Sequence, residues 1–185
     1  MGTVYAELND KLREFVEAQQ MFFVATAPVA EGHINLSPKG LESFAVLDAH
    51  TVAYLDLAGS GIETVAHLRE NGRIVIMFCA FDGAPKIVRL YGRGRVVEPA
   101  DPQWSDYSGR FQQLPGTRSI IVVDLERVSD SCGFGVPRYE YVGQRTQLTD
   151  YGETKGPEKL EQYKAQHNRE SIDGLPGLRV LAASE

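Results

Sequence analysis

From Ile74 to Phe81 the chain is apolar without a break. This run limits the fold more than any other stretch. It is too short to span a membrane, and its Val, Ile and Phe content reads as a strand covered on both faces. In a barrel, one face fills the interior and the other needs a helix or a second subunit. Asp82-Gly83 is a hairpin turn signal, and Pro85 lengthens that turn into a loop. Lys86 to Val97 then returns as a long strand. Ile87, Arg89, Tyr91, Arg93 and Arg95 alternate with Val88, Leu90, Gly92, Gly94 and Val96. The two glycines share a face, where a barrel bends or admits a close neighbour.

The remaining elements fit around this pair. Residues 7–20 read as an amphipathic helix with Leu8, Leu12, Phe15 and Val16 on one side. Met21 to Ala27 is a strand. The alternation in His33-Ile34-Asn35-Leu36-Ser37 makes a second, with His33, Asn35 and Ser37 on one face and Pro38-Lys39-Gly40 as its break. Phe44–Leu47, Thr51–Leu57 and Ser119–Leu125 are further strands. A short helix carrying Trp104 lies within 98–113. Pro157 opens a last helix at its preferred first position, and the tail from Ser171 is expected at the surface. Short turns between sequential strands point to a small closed antiparallel barrel with peripheral helices. The expected organisation is one domain over 1–185, with its core at about 21–129 and a C-terminal loop and helix at 130–185.

Asp56 to Gly72 reads as a strand end, a small-residue turn and a short helix. Ser60 stands at an N-cap position with Glu63 at capping-box spacing, and Asn71-Gly72 ends the helix. Such a helix start is also an anion seat. The net charge of −6 over 185 residues argues against a nucleic-acid footprint. With no signal-peptide pattern and no membrane-spanning run, the expected location is cytoplasmic, away from nucleic acid and membrane. Cys79 and Cys132 are too few for a disulfide framework and form no CxxC pair, so no metal ligands are expected.

Several of these motifs together resemble the pyridoxamine 5′-phosphate oxidase-like superfamily of flavin-binding split barrels. They are the helix and FFVAT strand, HINLSPKG, GSGIETVAHLRENGRIVIMF and KIVRLYGRGRVV, spanning about Phe22 to Val97. The resemblance implies a mainly β, six-stranded antiparallel split β-barrel with peripheral helices. It implies a homodimer with flavin mononucleotide (FMN) at the subunit interface and a flavin-dependent oxidoreductase acting on a small molecule. The cofactor-binding candidates it carries over are His33, Asn35, Ser37, Lys39, Ser60, Gly61, Thr64 and Arg89. Many members place a cation at the start of the short helix; here Lys39 or Arg89 would have to supply it. The tail GLPGLRVLAASE lacks the basic pattern with which the vitamin-B6 oxidases hold substrate, so a different small molecule is expected.

Read from their own chemistry, these residues keep other possibilities open. Lys39 suits a phosphate as a point charge, or is a solvated loop lysine. Arg89, Arg93 and Arg95 either reach an anion or make surface ion pairs. His33 could lie near a flavin edge, ligate haem iron or face solvent. Trp104, Tyr107, Phe134 and Tyr139 could stack on a ring system or simply pack. A deazaflavin or haem on the same fold, or a flavin-binding module without turnover, are the alternatives. No side chain is a convincing general acid or base, so no catalytic residue is named.

Overall fold

The computed structural model describes residues 2–179. Along the chain run β1 (Val4–Tyr5), α1 (Asp10–Glu17), β2 (Phe22–Thr26), β3 (Asn35–Lys39), β4 (Phe44–Val46) and β5 (Thr51–Leu57). These are followed by α2 (Glu63–Asn71), β6 (Arg73–Cys79), β7 (Ile87–Val97), α3 (Trp104–Ser108), β8 (Thr117–Ser131) and α4 (Gln147–His167). Among the described residues eight strands form one sheet in the order β3-β2-β6-β7-β8-β5-β4, with β1 added beside β8. Every pairing is antiparallel. The sheet curls into the split-barrel form that the resemblance implies. Its strand count exceeds the expected six because the short β1 and β4 also pair.

Period-two patterning decides which residues fill the barrel. Phe22 and Val24 of β2, Ile74, Ile76 and Phe78 of β6, Val88 and Leu90 of β7, and Ile121 and Val123 of β8 join one buried cluster. Leu12 and Val16 of α1 and Val65 and Leu68 of α2 complete it. The rings of Phe22, Phe44, Tyr54 and Phe78 meet at centroid distances of 4.9–5.6 Å. They join β2 to β4 and β5 where the hydrogen-bonded path is open. On the other face, Ala53, Leu55, Val97, Ile120 and Val122 pack with Trp104, Tyr107 and Phe111.

The glycines of β7 do what their placement foretells. A Cβ on Gly92 would strike the Asp124 carbonyl, where the β7–β8 register shifts. One on Gly94 would strike Leu68 of α2. The outer face of β6 stays open: Val75 and Met77 remain partly exposed.

Several boundaries differ from the sequence reading. The first helix is shorter than 7–20, because Asn9 caps it by accepting from the Leu12 N–H at 3.1 Å. Pro38 does not break its strand: β3 continues to Lys39, with Pro38 opposite Phe23. An edge strand tolerates this because proline's missing N–H is not needed there. Pro157 does open a helical segment, but a helical stretch from Gln147 precedes it across a kink at Gly156 (φ 73°). The tail is docked rather than superficial. Ser171 is buried, Leu178 packs against the main cluster, and a Cβ on Gly177 would strike the Asn168 carbonyl. Val180 to Glu185, the end of GLPGLRVLAASE, lies outside the described residues.

Candidate functional site

The strand before α2 carries a lone acid, Asp56, among mostly apolar residues, and the head of β8 carries Arg118 between Thr117 and Ser119, just before an apolar run. Burying either alone would be prohibitive. They are buried together: Arg118 Nε donates to Asp56 Oδ2 at 2.7 Å, and the two side chains are 4% and 0% exposed. Ser119 Oγ donates to the same oxygen at 3.2 Å. Lys39, at the end of β3, donates to Asp56 Oδ1 at 3.3 Å. β3 and β5 are not ladder neighbours, so this contact crosses the open seam of the barrel. Burial pushes the Asp56 carboxyl upward, but Arg118 and Lys39 outweigh it and hold the pKa at about 2, from the usual 3.8.

Beside this network lies a cavity of about 250 Å³, walled by Asn35, Ser37 and Lys39 of β3, the Leu57–Gly61 turn, Glu63 and Thr64 of α2, and Arg118. A second Arg118 contact fixes the turn, Nη1 donating to the Gly61 carbonyl at 2.8 Å. The hydroxyls and amide are ordered among themselves. Ser37 Oγ donates to Asn35 Oδ1 at 2.9 Å. Asn35 Nδ2 donates to Thr64 Oγ1 at 3.0 Å and to Thr26 Oγ1 at 3.2 Å. Thr26 Oγ1 in turn lies 2.9 Å from Nδ1 of the buried His67. Burial draws the His67 pKa below its usual value, against the opposing pull of Asp173, Glu63 and Glu70.

The seam thus brings together Asn35, Ser37, Lys39, Ser60, Gly61 and Thr64 from two separated segments. It does not bring in His33 or Arg89. His33 is exposed and bonded through its N–H and Nδ1 to Asp173, at 2.8 and 2.7 Å. Arg89 donates to Ser131 at 3.1 Å near the start of β7. Arg93 and Arg95 form the exposed ion pairs of their alternative reading, with Glu126 and Asp124. Phe134 is exposed, and Tyr139 lies against Phe81.

Ser60 does not cap α2. The N-cap is Ile62, with no side-chain hydrogen bond, and Glu63 is the first helical residue. The Glu63 carboxylate bends over Gly61 and accepts from the Ile172 N–H at 3.3 Å, so the capping box does not form. Gly72 ends the helix at φ 69°, as expected. The C-terminal segment braces this turn from behind, Asn168 Nδ2 donating to the Gly59 carbonyl at 2.9 Å.

Sequence reasoning missed Arg118 and Asp56. For Asp56 a charge inside a mostly apolar strand was the available signal, since such a charge survives only with a partner; Arg118, between Thr117 and Ser119, carried no such signal. Among the described residues no cluster of three or more potential metal ligands occurs, and no helix is long and apolar enough to cross a membrane.

Comparison with known proteins agrees with this fold. The pyridoxamine 5′-phosphate oxidase family model matches residues 8–132. The curated pyridoxamine 5′-phosphate oxidase family protein ustO of Aspergillus flavus is 44% identical over 195 residues, covering 96% of this chain and 78% of that protein. A crystal structure of a Group A Streptococcus HupZ variant superposes with a TM-score of 0.53 at 20% identity, over 67% of this chain and 99% of that one. A Lactobacillus delbrueckii protein provisionally described as a pyridoxamine 5′-phosphate oxidase gives 0.52 at 18% identity, over 67% and 94%. These two likenesses speak for the fold. Every residue lining the seam cavity lies inside the matched span, and the chain belongs to the pyridoxamine 5′-phosphate oxidase family.

Proposed function

We propose that this protein binds flavin mononucleotide with the phosphate in the seam cavity, and works as a flavin-dependent oxidoreductase on a small molecule. The observation that carries the reading is the cavity itself, where Lys39, Arg118 and the Thr64 hydroxyl converge beside the Gly59–Gly61 turn. Its donor set fits a phosphate ester: two cations and a hydroxyl can replace the water that such an anion loses. Arg118 is held by Asp56 and the Gly61 carbonyl, so its remaining N–H groups are already oriented. Lys39 adds a point charge from the opposite side of the seam. Asn35 sets the Thr64 hydroxyl by donating to its oxygen.

The flavin, when bound, supplies hydride and electron transfer. The chain holds it, orients it and limits the access of water. A homodimer is part of the proposal. Leu36, Ala25, Val75 and Tyr91 lie in register across β3, β2, β6 and β7, with Pro38, Phe23 and Met77 in the next row. Leu36 is 65% exposed. A second subunit would cover this face and place two cofactors at the interface, in a protein working in the cytoplasm.

Titration of the purified protein with FMN, followed by quenching of flavin fluorescence, tests the reading. Saturable binding is expected, with riboflavin at least tenfold weaker because it lacks the phosphate. No quenching by FMN, or equal affinity for the two, refutes it.

A further inference from the structure

We infer that Glu63 makes the seam cavity select a phosphate ester that still carries one proton. The inference rests on reading this cavity as a phosphate seat. Lys39 and Arg118 bring two positive charges to it. Asp56, directly behind them, and Glu63, in the lining, bring two negative ones. The lining together with the buried Asp56 behind it is therefore electrically neutral. A phosphate dianion entering it leaves two charges uncompensated in a partly dehydrated space, and a monoanion leaves one.

Hydrogen-bond polarity points the same way. Ser37 spends its hydrogen on Asn35 Oδ1, so its oxygen is left to accept. One Glu63 oxygen accepts from the Ile172 N–H and the other lies over Gly61, at the cavity wall. Thr64 accepts from Asn35, and its hydroxyl lies beside that of the buried Tyr54. The cavity thus offers donors on the Lys39 and Arg118 side and acceptors at Ser37 and Glu63. A fully ionised phosphate satisfies the donors and is repelled by the acceptors. A singly protonated one donates its P–O–H to Glu63, a charge-assisted hydrogen bond.

The second ionisation of a phosphate monoester falls near pH 6, so affinity should fall above that pH. The charged groups that share the cavity wall with Glu63 are Lys39 on β3 and Arg118 on β8, with Asp56 on β5 behind them; His67 on α2 feels Glu63 together with Glu70 and with Asp173 of the docked tail, which pairs with His33. Burial keeps the His67 pKa below 6.5. Hydrogen bonds from His33 keep that of Asp173 below 3.8.

The test is the dissociation constant of FMN between pH 5.5 and 8.5, by flavin fluorescence, for the native chain, Glu63→Gln and Glu63→Asp, with sulfate as competitor. The native constant should rise at least tenfold from pH 6 to pH 8. Glu63→Gln should rise less than threefold, and Glu63→Asp should keep the native dependence. Sulfate, which carries no proton here, should compete at least tenfold better in Glu63→Gln than in the native chain. A flat native profile, or a Glu63→Gln profile as steep as the native one, overturns the selectivity while leaving the phosphate seat standing. No FMN binding by any of the three proteins at any pH overturns the seat and the selectivity with it.

Discussion

Asp56→Asn tests the charge network that builds the site. The native carboxylate is wholly buried between Arg118 and Lys39. Its pKa of about 2, against the usual 3.8, corresponds to about 2 kcal/mol of folding free energy at neutral pH. The folded-state value is the lower one. That stabilisation is therefore fully present above pH 3.8 and disappears as the pH falls through about 2. Asparagine keeps the shape and removes the charge, leaving Arg118, 4% exposed, without its counter-ion. Removing one partner of a buried pair costs about 3–5 kcal/mol. For a chain of this length that is a fall of roughly 10 °C in Tm. Urea unfolding at pH 7 should show the loss, and the gap between native and variant should narrow as the pH approaches 2. Anion binding should move the other way. The cavity gains a net positive charge, and FMN affinity should rise about threefold to tenfold if the charges act from about 6 Å through a high effective dielectric. A stability loss under about 1 kcal/mol at pH 7, or a gap that does not shrink in acid, would refute the reasoning.

Three further substitutions probe the remaining links. Lys39→Ala should weaken FMN binding at least tenfold while lowering Tm by only a few degrees, because Arg118 still pairs Asp56; titration and thermal unfolding on one sample check both. Gly92→Ala should cost about 3 kcal/mol or more, since its Cβ meets the Asp124 carbonyl in the β7–β8 ladder rather than a movable side chain; urea unfolding measures it. Val75→Glu should yield a folded monomer in sedimentation velocity, because Val75 lies in the middle of the outer row of β6. A native chain that is itself monomeric at micromolar concentration would remove the dimer from the proposal.

Most of the strands could be read along the chain because period-two alternation is a local property. The Ile74–Phe81 run announced a strand, of which the structure covers the inner face and leaves the outer one partly exposed, and the glycines of β7 announced a close neighbour, which Leu68 and the Asp124 carbonyl supply. Pro38 misled because proline's cost depends on whether its strand is at an edge, which is decided by strand order. Ser60 misled for a related reason. Its spacing to Glu63 satisfies a capping box, but the docked tail offers the Glu63 carboxylate the Ile172 N–H.

What this sequence determined by itself was the alternation that makes a barrel wall and the polar face of Asn35, Ser37 and Lys39. Local periodicity needs no partner to be legible. Tertiary structure alone decided that Asp56 and Arg118, sixty-two residues apart, would neutralise each other behind that face. It also decided that Lys39 would cross the seam to join them and that His33 and Arg89 would lie elsewhere. Charges can be buried only in matched sets, and the sets are assembled by strands that meet in the folded barrel.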